Sequence, residues 1–169
     1  GNDAVMLSAE TAMGRYPVET VQIMDRIIRE AEASMTDFPR PQRRKFSSLP
    51  GTTAELICHA SRELPLKVIA VFTETGATAR HVAVHRHDIP LLAFTSRPEV
   101  RSQLALLWGT ETFVVPMAHH TDEMVAMADK ALLDLGRGMP GDFVVIVAGT
   151  PPGTAGSTNT LRVHKLGGE

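Results

Sequence analysis

A three-layer α/β fold built on a doubly wound, mostly parallel five-stranded sheet of order 3-2-1-4-5 is the architecture that residues 52–169 predict. Three observations lead there. Short unbroken apolar runs (Lys67–Thr73, Leu91–Thr95, Phe143–Ala148) alternate with segments of helical periodicity, and strands buried on both faces belong to parallel sheets covered by helices. Helix-start signals stand in front of those periodic segments. The last apolar segment breaks the rule: Leu161 and Val163 alternate with Arg162 and His164. One of its faces is therefore expected to be wet, which places it antiparallel at an edge.

The elements follow in order. Residues 4–8 read as a short apolar strand, and 9–17 as a polar loop punctuated by Gly14 and Pro17. Val21, Met24, Ile28, Ala31 and Met35 recur at helical spacing and predict one long amphipathic helix. Residues 36–51 carry Pro39, Pro41 and Pro50 with Arg40, Arg43, Arg44 and Lys45, the composition of a linker or solvated surface segment. Thr52 to Glu55 matches a capping box opening a helix to about Leu64. After the strand at 67–73 a helix is expected over 78–86. Ser96 to Glu99 matches a second capping box, opening a helix with Val100, Leu104, Leu107 and Trp108 on one face. A short strand over 111–115 precedes a helix capped by Thr121 and carrying Met124, Met127, Ala128, Ala131, Leu132 and Leu135. Gly136 and Gly138 end it.

Composition narrows the function classes. The 169 residues are 43% apolar and 21% charged, with a net charge of −2, so no basic field attracts nucleic acid. No apolar run approaches the roughly 20 residues that cross a bilayer, and no signal peptide is visible, so a cytoplasmic protein without a membrane partner is expected. The lone Cys58 excludes an internal disulfide and reads as a buried, inert thiol. A strand starting almost at residue 1 is expected to be a cut through a longer protein. His81, His85 and His87 have a spacing that suits zinc, but no Glu or Cys completes a ligand set, so no metal site is expected.

Ligands of open α/β sheets sit beyond the carboxyl ends of the strands, where the strand order reverses. Two segments there have unusual composition. Thr73-Glu74-Thr75-Gly76-Ala77-Thr78 offers three hydroxyls, a permissive glycine and a helix start. The run from Gly149 to Thr158 is rich in glycine and hydroxyls and contains Gly153, Thr154, Ala155, Gly156 and Ser157. With the first and fourth strands adjacent, the two segments face each other across one crevice. They suit a phosphorylated sugar or nucleotide, or they are a capped turn and a surface connection. Glu74 repels a phosphate unless it points to solvent or meets a sugar hydroxyl, and Arg80 is the cation expected near the first segment.

The opening run G-N-D-A-V-M-L-S-A-E-T-A-M-G-R-Y-P-V-E resembles the end of the pyruvate kinase barrel, with Asn2 for the usual Thr and Ala9 for the usual Gly. The likeness continues through F-T-E-T-G-A-T-A-R (72–80), residues 91–109 and residues 141–164, most closely to bacterial members. It implies that 1–35 are a remnant of the last strand and helix of a TIM barrel, 36–51 a linker, and 52–169 the complete C-terminal regulatory domain. It also implies a parent reaction of glycolysis, phosphoenolpyruvate and ADP to pyruvate and ATP, with Mg or Mn and K. The phosphoryl-transfer lysine and metal-binding carboxylates would lie on earlier barrel strands. This chain alone is thus expected to hold no cofactor and to be inactive, with Ser8 and Glu10 as remnants of the active-site end. The resemblance implies that Thr73, Glu74, Thr75, Gly76, Ala77 and Thr78, opposite Gly153 to Ser157, surround an effector phosphate. Ala77 stands where a basic residue is often found. Expected partners are a phosphorylated small molecule, the barrel and further copies in a tetramer. The alternatives are a stand-alone phosphometabolite-binding protein and a purely structural assembly module.

Overall fold

The computed structural model describes residues 2–34, 49–153 and 157–168. The chain divides into two compact units, Gly1–Gln42 and Arg43–Glu169.

The first unit is helical. Residues 4–8 join no ladder, so the strand expected there is not formed; a strand exists only through a neighbour's hydrogen bonds, and no described residue supplies them. The expected polar loop contains a one-turn helix, α1 (Ala9–Ala12), closed by Thr11 and Ala12 amides donating to the Ser8 carbonyl. Pro17 starts α2 (Pro17–Ser34) rather than breaking structure, because proline at a first helical position gives up no hydrogen bond. Thr20, Met24 and Ile28, four apart, are the half-buried residues of α2, while Val18, Val21, Ile23 and Ile27 are exposed. Met35 lies outside the described residues, as does all of the expected linker except its last three positions.

Those three belong to α3 (Leu49–Glu63), which opens the second unit. The capping box at Thr52 is therefore not used. The helix begins a turn earlier, with a proline in its first turn, and the neighbouring Thr53 hydroxyl donates back to the Leu49 carbonyl at 3.0 Å. Then follow β1 (Leu66–Phe72), α4 (Ala77–Ala83), β2 (Leu91–Thr95), α5 (Pro98–Leu104), β3 (Thr110–Val114), α6 (Thr121–Asp134), β4 (Phe143–Gly149) and β5 (Thr158–Lys165). The sheet order is β3-β2-β1-β4-β5, with every pair parallel except β4 and β5. The predicted fold class is the observed one.

Alternate residues of the central strands feed two cores. Ile69, Val71, Ala93, Val145 and Val147 meet α3, α4 and α5 on one face. Val68, Ala70, Leu92, Val144 and Ile146 meet Met124, Ala128 and Leu132 of α6 on the other. A buried leucine or valine contributes about 1.5–3 kcal/mol relative to exposure, and both faces of β1 and β4 are filled this way.

Local signals gave way to packing at several points. Ser96 does not cap α5: its hydroxyl donates to Glu74, and the Thr95 hydroxyl accepts the Arg97 amide instead. The helix stops at Leu104, so Leu107 and Trp108 lie beyond it; Arg86 stacks over the Trp108 ring at 5.1 Å. Thr121 is the first residue of α6 rather than its cap, and the Glu123 carboxylate accepts the His119 amide. Cys58 is half-buried rather than buried. In β5 the expected wet face is reversed at its end: His164 is 8% exposed and Val163 is 40% exposed. Asp129 explains the reversal, accepting from His164 Nε2 at 2.9 Å and from the Gly167 amide at 3.1 Å. A buried imidazole with a partner is tolerated where an unpaired one is not.

Candidate ligand crevice

Because β1 and β4 are neighbours, and their following connections leave toward opposite faces, a crevice opens at their carboxyl ends. It encloses about 570 Å³ of non-atom space, open mouth included, within the range of small-molecule sites. Its walls come from the ends of four strands. Thr73 to Thr75, Ala77 and Thr78 follow β1; Thr95 and Ser96 end β2; Val115 to Ala118 follow β3; Gly149, Pro152, Gly153, Ser157 and Thr158 come from the end of β4 and the start of β5.

The expected rims are thus brought together, and one contact joins them directly: Thr78 Oγ1 lies 2.5 Å from Thr158 Oγ1, both buried. Thr154, Ala155 and Gly156 lie outside the described residues. The hydroxyls are less available than the sequence suggested. Thr73 Oγ1 accepts the Gly76 amide at 3.0 Å, folding the first rim into a tight turn. Gly76 has φ +79°, and a Cβ there would meet Arg80 Nη1 at 2.7 Å and Leu104 Cδ2 at 3.0 Å, so glycine is required. With Thr73 and Thr78 engaged, Thr75 is the exposed hydroxyl of this rim.

Arg80 is turned to support. Its Nη1 donates to the Thr75 carbonyl and its Nη2 to Gln103 Oε1, both at 3.1 Å. Glu74 points neither wholly to solvent nor to a cation: its Oε2 accepts from Ser96 Oγ at 2.7 Å. The second rim is anchored by Asn159, which sequence reasoning passed over. Its Oδ1 accepts the Thr150 amide at 2.8 Å, and its Nδ2 donates to the Thr150 carbonyl at 2.7 Å. A Cβ on Gly149 would collide with Ser157 Oγ, so the strand end and the returning rim approach too closely for any other residue.

Sequence reasoning also missed the apolar wall of Phe72, Phe94, Met117 and Met124. Phe72 and Phe94 stack with centroids 5.1 Å apart. The rule that picked out the two rims, position after a strand's carboxyl end, also applied to residues 115–118; their lack of glycine and hydroxyls hid them. Ser8 and Glu10 belong to the first unit, both exposed, with the Ser8 amide donating to Glu10 Oε2 at 3.0 Å. The Glu10 and Ser8 amides hold that carboxyl below its ordinary range. His85 lies away from the crevice lining, and burial lowers its pKa. Among the described residues no group of three or more His, Cys, Asp or Glu is placed to hold a metal ion.

Fold and crevice together define a doubly wound α/β domain with a small-molecule-sized opening at its switch point. The comparisons with known proteins then specify which such domain it is. Residues 51–164 match the family model described as the pyruvate kinase alpha/beta domain. A pyruvate kinase of Mycobacterium intracellulare is 48% identical over 99% of this chain, and one of Geobacillus stearothermophilus 41% identical over 98%. A crystal structure of a pyruvate kinase from Cryptosporidium parvum superposes with TM-score 0.82 over 98% of the chain at 27% identity. The chain belongs to the pyruvate kinase family. It spans 35% of the mycobacterial relative, 29% of the Geobacillus one and 33% of the Cryptosporidium chain.

Proposed function

We propose that this chain is the regulatory and assembly part of a pyruvate kinase. In this reading it binds a phosphorylated metabolite in the strand-end crevice and biases a catalytic barrel between two states. One observation carries the proposal: the hydroxyl-bearing rims at 73–78 and 149–158 meet across the switch point and line one opening with an apolar back wall. Such a site suits a small ligand with a polar end and a less polar body. The parent reaction, conversion of phosphoenolpyruvate and ADP to pyruvate and ATP, belongs to the whole enzyme. The divalent and monovalent cations would be held outside this chain, whose described residues offer no cluster to ligate a metal. The Gly1–Gln42 unit would be the barrel remnant, the whole enzyme a cytoplasmic tetramer, and the isolated chain inactive.

Titration calorimetry with thermal unfolding tests the binding role, using glucose 6-phosphate and AMP as probes. A ligand at a hundred times its Kd should stabilise the chain by about 2.7 kcal/mol. Absence of heat and of stabilisation with both would favour a purely structural assembly role. A coupled assay with phosphoenolpyruvate, ADP and Mg should show no turnover; metal-dependent activity above background would overturn the expected inactivity.

A further inference from the structure

The described lining of the crevice includes one carboxylate, Glu74, and no lysine, arginine or histidine. Glu74 is half-buried at the end of β1, and the Ser96 hydroxyl holds its Oε2 at 2.7 Å. Its Oε1 takes part in no hydrogen bond among the described residues. Arg80 does not line the crevice, and its guanidinium is engaged by the Thr75 carbonyl and Gln103. A carboxylate tethered beside an apolar wall is stabilised by a ligand that donates to it and opposed by one that brings it a further negative charge.

We infer that Glu74 is a specificity-determining residue of this crevice: it accepts a hydroxyl of the ligand, selecting a singly phosphorylated polyol and rejecting the corresponding bisphosphate. The inference rests on the reading that the crevice holds a phosphorylated metabolite. Ser96 is the positioning residue, since its hydroxyl fixes one carboxylate oxygen and leaves the other for the ligand. With no lining cation to offset it, like-charge repulsion within about 6 Å at a partly buried site amounts to tenfold or more in affinity.

The test is calorimetric titration of the 169-residue chain with glucose 6-phosphate and with glucose 1,6-bisphosphate, which share one ring and differ by one phosphate. The unsubstituted chain should prefer the monophosphate by about tenfold or more. Glu74→Gln keeps an acceptor for Ser96 and removes the charge, and should shrink the preference to about threefold or less. Ser96→Ala keeps the charge but releases it, and should fall between the two; an unchanged ratio would overturn the positioning by Ser96. Equal affinity of the unsubstituted chain for both ligands, or an unchanged ratio in Glu74→Gln, would overturn the inference while leaving the binding role standing. Binding of neither ligand by either form, with unliganded thermal unfolding showing both folded, would overturn the binding role and the inference with it.

Discussion

Helix α2 and strand β4 both carry regular apolar patterns, and they end in opposite surroundings. On α2, Val18 and Ile27 are 64% and 63% exposed, and no residue of the helix is buried. On β4, Val144 to Ala148 are at most 3% exposed. The pattern is equally legible in both. The difference is that β4 sits between two strands and under helices on each face, whereas α2 belongs to a unit of only two described helices, α1 and α2. An amphipathic pattern states a demand for a partner; the partner supplies the stabilisation.

The largest test of that contrast is a matched pair of truncations. Leu132→Ala, at a fully buried position of α6, should cost about 2–5 kcal/mol, through lost burial and the cavity left behind. Ile27→Ala on α2 should change stability by less than about 0.5 kcal/mol. Urea unfolding of both variants measures the gap, and equal losses would mean that α2 contributes to the cooperative unit as much as the sheet does.

A second test concerns polar rather than apolar burial. Asp129→Ala leaves the buried His164 ring and the Gly167 amide without their acceptor, and should cost about 1–3 kcal/mol. Asp129→Asn keeps one carbonyl acceptor and should cost less. Chemical denaturation orders the two, and the reverse order would assign Asp129 a role through charge alone.

The smallest expected effect is pH-dependent. Burial lowers the His85 pKa below its ordinary 6.5, with Glu55 opposing and Arg62 reinforcing the shift. The native state then binds fewer protons than the unfolded one between the two values. His85 stability is therefore fully present above pH 6.5 and is lost as pH falls through that value toward the lowered native one. Thermal unfolding from pH 7.5 to 5 should show a shallower acid-side decline in His85→Gln than in the unsubstituted chain. An identical decline would exclude His85 as a contributor.

Much of the sheet was readable in advance because its strands are buried on both sides: Leu91–Thr95 was placed to the residue, and β1 and β4 to within one. Helix starts were less readable. Both four-residue capping boxes lost to other partners, Ser96 to the Glu74 carboxylate and Thr52 to an earlier start of α3. These hydroxyls have several acceptors within reach, and only the folded chain chooses among them. In the crevice, the two rims were found by their glycines and hydroxyls. The wall around Met117 was not, because apolar residues look alike in sequence whether they fill a core or line an opening.

The sequence by itself determined the family, the strand order and the antiparallel edge, since periodicity, chain order and crossover handedness leave few arrangements for five such strands. Tertiary structure alone decided which polar groups pair. It gave Thr73 and Thr78 to the scaffold, turned Arg80 toward Gln103, buried His164 against Asp129 and left the Glu74 carboxylate in the crevice. Hydrogen bonds are short and directional, so the partner of a polar side chain depends on sub-ångström placement of segments far apart in the chain.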